Sequence, residues 1–201
     1  MSTKRASTPA APDTAAVWRY LPAALTAAAM AFITVKFAVS AHETLTRTRD
    51  GACIALDPTD VPAALKDAHP DFQLPDVNGK MTSLKEQLGH PVLLNFWATW
   101  CPPCVDEVPS LEDLARHLQG TGSRMLAVSV DEDWSLIRRF FAKGTPIPVL
   151  LDTSKEIPKK FGTEKFPETF LIDAAGRVRY YFVNKRDWSG PEAVACLESL
   201  R

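Results

Sequence analysis

The chain has 201 residues, 46% of them hydrophobic and 23% charged, with a formal net charge of -1. That length allows one full-sized domain with extensions and excludes two large domains. The neutral balance excludes the basic footprint of a nucleic-acid binder and the acidic excess of a disordered chain, so function has to be read from local motifs.

Residues 1–16, "MSTKRASTPAAPDTAA", are rich in Ala, Ser, Thr and Pro and predict a disordered tail. Residues 17–41 are almost uniformly apolar: Leu21 to Val35 carries no charge, with Trp18 and Arg19 before it and Lys36 after it. A core helix would show a polar face, so this segment predicts a transmembrane anchor or a cleaved signal segment. The charge-free run falls short of the ~20 residues of a full span, but a snorkelling Lys36 lets Phe37 to Val39 count. "AVSA" (38–41) resembles a signal-peptidase site, and Lys36 so close before the cut favours an uncleaved anchor. Lys4, Arg5 and Arg19 favour a cytoplasmic N-terminus, while Arg47 and Arg49 weaken that bias. Either reading exports the rest of the chain to a compartment where unguarded cysteine pairs oxidise.

Residues 42–70 are weakly patterned and predict a linker, with one helical turn at Ala63 to Ala68. A domain over 71–201 follows. Asn78-Gly79 separates two short extended stretches and predicts a hairpin, followed by a short helix at Leu84 to Leu88. "PVLLNFWA" (91–98) is a continuous apolar run, as for a strand buried on both faces. "PPCVDEVPSLEDLARHLQG" is helical, with Leu111, Leu114 and Leu118 on one face and Gly120 as the stop. Then come a strand at Arg124 to Asp131, a helix at Asp133 to Gly144, a strand at Pro148 to Asp152 and a short helix in "SKEIPKKFG". Glu168 to Asp173 and Arg177 to Asn184 form a second hairpin, and a final helix starts near Ser189 or Pro191 and ends at Leu200. This alternation predicts an α/β domain with a mixed sheet.

The four cysteines are Cys53, Cys101, Cys104 and Cys196, and only the middle two are close in sequence. On the predicted map Cys101 falls where the buried strand turns into the helix. A helix N-terminus offers free N–H groups and the positive end of the dipole, which favour a thiolate. Pro102 and Pro103 suit the first turn because their missing N–H groups would have had no intrahelical partner. Cys104 lies one turn on, placed to resolve a mixed disulfide. Zinc needs four ligands, and His42, His69, His90 and His117 are too scattered to complete a site, so no metal or other cofactor is expected. A purely structural bridge here would close only a very short loop and stabilise little. Cys53 and Cys196 either form a second disulfide or, in the case of Cys196, supply a small buried side chain; nothing in the sequence brings their Cα atoms together.

The run "VLLNFWATWCPPC" with the downstream "EVP" resembles the thioredoxin superfamily, and more narrowly the membrane-anchored TlpA/ResA/CcmG-like thiol–disulfide oxidoreductases, over Phe72 to Arg201. The resemblance implies a thioredoxin-like fold, with helices flanking a mixed central sheet, an extra N-terminal β-hairpin from "DFQLPDVNGK" and one preceding transmembrane helix. Pro109 matches the proline that kinks the active-site helix of thioredoxins. "FPETFLID" matches the loop whose cis-proline faces the active-site disulfide, which makes Pro167 that residue. Where thioredoxins carry a buried Asp that handles the second cysteine's proton, this chain has Asn95, which cannot ionise. Glu107, one turn after Cys104, is left either as the replacement proton carrier proposed for this group or as a solvated helix residue. Phe166 departs from the small or β-branched residue common before the cis-proline, and a bulky ring there restricts access or supplies an apolar platform. Trp100, Pro102, Pro103, Phe166 and Pro167 are the expected substrate-contacting residues, with Trp100 bordering the surface and Trp97 open to a packing role.

The resemblance implies a protein-disulfide reductase on the outer face of the bacterial inner membrane. Its expected partners are an exported protein with a cysteine pair, such as apocytochrome c, and a membrane-embedded thiol reductant. The alternatives are a binding or assembly module with a structural disulfide, and a thiol peroxidase on the same hairpin-extended fold.

Overall fold

The computed structural model of the chain describes residues 14–66, 68 and 70–201, with residues 14–24 and 42–50 described by their backbone alone. The expected tail therefore lies outside the described residues except for its last few positions, which already belong to the first helix, α1 (Thr14–Ile54). The linker expected from residue 42 is helical as far as Ile54. No proline interrupts it before Pro58, and the chain leaves the helix through Asp57, whose φ is 56°. Of the described residues, those up to Thr46 and those from Arg47 on belong to two compact units. Leu25, Phe32, Ile33 and Phe37 of α1 are exposed. Among the described residues no helix is long and apolar enough to cross a membrane, so the expected transmembrane anchor is not found there. The stretch of this segment whose side chains are described, Leu25 to Ala41, is shorter than the ~20 apolar residues of a full span and includes Lys36.

In the second unit, β1 (Gln73–Pro75) and β2 (Met81–Ser83) pair antiparallel around Gly79, whose φ of 78° is the left-handed conformation that the turn requires. The short helices expected at Ala63 to Ala68 and Leu84 to Leu88 are 3-10 turns, Ala63–Leu65 and Lys85–Gln87. The remaining elements are β3 (Val92–Trp97), α2 (Pro102–Leu118), β4 (Arg124–Ser129), α3 (Trp134–Phe140) and β5 (Val149–Leu151), followed by α4 (Glu156–Lys160), β6 (Glu168–Ile172), β7 (Val178–Val183) and α5 (Pro191–Ser199). The sheet order is β5-β4-β3-β6-β7, with β3, β4 and β5 parallel and β6 and β7 antiparallel.

Alternation along the strands divides the core in two. Leu93 and Trp97 of β3, Met125 and Ala127 of β4 and Leu171 of β6 face α2 and α5. Val92, Leu94, Phe96, Leu126, Val128 and Phe170 face the other side, with Phe72, Leu74 and Phe161. Both faces are covered, which is why these strands read as continuous apolar runs. Asn95 and Thr169 share the α2 face and stand opposite each other across the β3–β6 ladder. Two polar residues in the centre of that face need partners, and their partners lead to the site.

Candidate active site

Strand β3 is central, and its C-terminal end delivers the cysteines. Cys101 is the N-cap of α2 and Pro102 and Pro103 fill the first helical positions, so the first available helix N–H is that of Cys104. That N–H donates to Cys101 Sγ over 3.3 Å. The turn is closed by Cys101 N–H on the Ala98 carbonyl (3.3 Å) and Val105 N–H on the Cys101 carbonyl (3.0 Å). Cys101 and Cys104 form a disulfide, with Cα atoms 5.3 Å apart. Both are buried, Cys104 more completely than Cys101.

The loop before Cys101 is fixed from the neighbouring strand. Asp131, just past the end of β4, accepts from the Thr99 N–H (3.1 Å), the Thr99 hydroxyl (2.7 Å) and the Ser129 hydroxyl (2.6 Å). The peptide bond between Phe166 and Pro167 is cis, and the Phe166 carbonyl oxygen stands 3.5 Å from Cys101 Sγ. Trp100 is 56% exposed and meets the Phe166 ring edge to face, at 6.1 Å between centroids. The Lys155 ammonium lies 5.8 Å from the Trp100 ring on its other contact. Trp97 is buried against Phe140 and Phe141 and belongs to the core. Of the expected contact residues, Pro102 is exposed, Pro103 and Phe166 are half-buried and Pro167 is buried.

Glu107 is 2% exposed, so the solvated reading of this residue is excluded. It lies on the buried stripe of α2 with Cys104, Leu111 and Leu114, one turn after Cys104. Its Oε2 accepts from Asn95 Nδ2 (3.1 Å), and its Oε1 accepts from the Arg186 N–H (2.9 Å) and Trp188 Nε1 (2.7 Å). Asn95 Nδ2 also reaches Thr169 Oγ1 (2.9 Å). Burial pushes the Glu107 carboxyl above the usual carboxylate range, against the lowering effect of those donors and of the Arg186 charge. A carboxyl tuned upward next to the second cysteine is suited to take a thiol proton. Helix α2 runs on through Pro109.

Sequence reasoning missed Arg186, Trp188 and Asp131. Trp188 was signalled by an aromatic residue in the polar stretch "NKRDWSG", and Asp131 by a carboxylate at the end of an apolar strand. Cys53 and Cys196, whose pairing the sequence left open, form a second disulfide with Cα atoms 4.7 Å apart, both fully buried.

A family profile described as the AhpC/TSA family matches residues 65–181. The thiol-disulfide oxidoreductase ResA of Bacillus subtilis (strain 168) is 37% identical over 110 residues, 54% of this chain and 62% of that protein. The ResA of Geobacillus thermodenitrificans (strain NG80-2) is 37% identical over 111 residues, covering 55% and 64%. The chain thus spans less than two thirds of the length of these relatives. Among solved structures, a thiol:disulfide interchange protein of the thioredoxin family from Chlorobium tepidum TLS is 27% identical, covers 66% of this chain and 94% of its own, and has a TM-score of 0.57. StoA from Bacillus subtilis, at 20% identity, 62% and 96% coverage and a TM-score of 0.55, shares the fold. The architecture is thioredoxin-like, with the mixed sheet and the flanking helices in place.

Proposed function

The chain belongs to the AhpC/TSA family, and from that premise we propose that it is an extracytoplasmic protein-disulfide reductase whose working pair is Cys101 and Cys104. The observation that carries the reading is the cysteine pair at the start of α2, with Cys101 Sγ capping the helix and facing the Phe166–Pro167 turn. The reduced pair meets a substrate disulfide. The Cys101 thiolate attacks one substrate sulfur, forming a mixed disulfide and releasing the other sulfur as a thiolate. Glu107 takes the Cys104 proton, and Cys104 attacks Cys101 Sγ. The Cys101–Cys104 bond forms, the mixed disulfide breaks, and the substrate leaves with both sulfurs reduced. Two electrons have passed from the domain to the substrate, and a membrane thiol reductant returns them.

The prolines favour this direction. With no N–H at the first two helical positions, only the Cys104 amide is left to stabilise a Cys101 thiolate. A less stabilised thiolate makes the dithiol a better reductant. Trp100, Phe166 and Pro167 offer an apolar platform beside the sulfurs for a substrate segment carrying a cysteine pair, with apocytochrome c as the candidate of that kind. The thiol-disulfide oxidoreductase relatives support the reaction class. Attachment to the outer face of a bacterial inner membrane through α1 belongs to this proposal, supported by its exposed apolar side chains and by the two disulfides.

The test is reduction of insulin disulfides by the reduced full chain, with Cys101→Ser as control. Turnover that vanishes in the control supports the reading, and none from the parent chain returns the domain to a binding role. Peroxide consumption without disulfide reduction would favour a thiol peroxidase.

A further inference from the structure

The carboxylate of Glu107 is held by a segment that is itself held by the end of α1. Arg186 supplies a backbone N–H to Glu107 Oε1, while its side chain turns away. The guanidinium donates to the Leu56 carbonyl (3.0 Å) and the Asp57 carbonyl (2.9 Å), where α1 ends. It also donates to the carbonyls of Val183 (3.1 Å) and Lys185 (3.0 Å) within its own segment. A planar fork spread over these four carbonyls and that of Asn184 (3.4 Å) fixes the backbone from which its own N–H points. Three residues before Leu56, the buried Cys53–Cys196 disulfide joins the last turns of α1 to α5. From Cys104, the path runs through Glu107, the Arg186 amide, the Arg186 side chain and Leu56–Asp57 to the second disulfide.

We propose that Arg186 is a positioning residue for Glu107, and that the Cys53–Cys196 disulfide holds the α1 end against which Arg186 works. The second disulfide thereby sets how firmly the active-site carboxyl binds its proton. The idea rests on the proposed proton-carrier role for its catalytic meaning, but not for its geometry. The groups bonded to the Glu107 carboxyl are Asn95 of β3, and Arg186 and Trp188 of the segment after β7, and Cys104 lies one turn before it on the buried stripe of α2; Asp57, on the far side of the guanidinium, is paired with it at 3.6 Å. Arg186 is thus the one cation among these neighbours. Both of its contributions, the fixed amide and the positive charge, favour the ionised carboxylate.

The experiment is an infrared titration of the full chain in its disulfide form, with the Glu107 carboxyl band identified by its loss in Glu107→Gln. Arg186→Ala is expected to raise the midpoint by about one pH unit, as loss of a nearby opposite charge does. Arg186→Lys, which keeps the charge without the fork, should recover part of that shift. Cys53→Ala/Cys196→Ala should move the midpoint in the same direction by less. A folded Arg186→Ala chain with an unmoved midpoint overturns the proposal. If that variant does not fold, the double cysteine variant decides, and an unmoved midpoint there overturns the link to the disulfide. The pH profile of insulin reduction separates the two ideas. If Glu107→Gln leaves it unchanged, the proton-carrier reading falls, while the titration still decides the positioning role.

Discussion

Replacing Glu107 by Gln removes one ionisable group and little volume. Three donors converge on the carboxylate, from Asn95 Nδ2, the Arg186 amide and Trp188 Nε1. The Gln carbonyl oxygen can keep the pair of donors now on Oε1. Its amide would face Asn95 Nδ2, but Asn95 Oδ1 is buried without a partner, and a flip of the Asn95 amide offers it as acceptor. The variant should therefore fold. Its resolving step should slow about 10²-fold or more, the contribution expected of a positioned general base, with the loss greatest at pH values where Glu107 is ionised in the parent. Stability carries an independent signature. The native carboxyl keeps its proton to higher pH than the unfolded one, so above the unfolded pKa the native state binds more protons. The contribution is fully present below the unfolded pKa, is lost as pH rises through the native pKa, and levels off beyond it. Each unit of separation is worth about 1.4 kcal/mol at the plateau. Urea denaturation from mildly acid to neutral pH should show this fall in the parent and a flatter profile in Glu107→Gln. Equal slopes in the two chains, together with unchanged pH–rate profiles, would refute the reasoning.

Removing the second disulfide by Cys53→Ala/Cys196→Ala opens a loop with a sequence separation of 143 and should destabilise the domain by about 4–5 kcal/mol, read as a lower urea midpoint. An unchanged midpoint would mean that the denatured chain is not constrained by that bridge. Asp131→Ala strands the Thr99 and Ser129 donors in a buried site and should cost about 1–3 kcal/mol, with slower insulin reduction because the Trp100–Cys101 turn loosens. Unchanged stability would contradict that assignment. Trp100→Ala should leave stability within about 0.5 kcal/mol, since the ring is largely exposed, and should raise the KM for a protein disulfide. An unaltered KM would remove Trp100 from the substrate platform.

The sheet was legible because strands covered on both faces are written as unbroken apolar runs, and β3, β4 and β6 appear where "LLNFW", "MLAVS" and "TFLI" predict them. The cysteine hinge was legible because strand end, proline pair and helix start are adjacent in the chain. Glu107 was only half legible: its spacing from Leu111 and Leu114 puts it on the buried stripe, yet an acidic residue on a helix is ordinarily solvated. Its donors Arg186 and Trp188 lie 79 and 81 residues away, beyond the reach of local patterning. The pairing of Cys53 with Cys196 was hidden for the same reason, as it depends on how α1 ends against α5. Over the stretch expected as a linker, weak hydrophobic patterning does not register the end of helix α1, which runs to Ile54 with no proline between residue 42 and Pro58.

The central claim is that the Cys101–Cys104 pair donates electrons to substrate disulfides. Its reduction potential, measured by equilibration of the full chain with glutathione or dithiothreitol buffers, is the most direct test. The account predicts a strongly reducing value, about -270 mV, in the range of disulfide reductases. A value near about -120 mV, as for a strong oxidant, would mean that the Cys101 thiolate is well stabilised and that the electrons flow the other way.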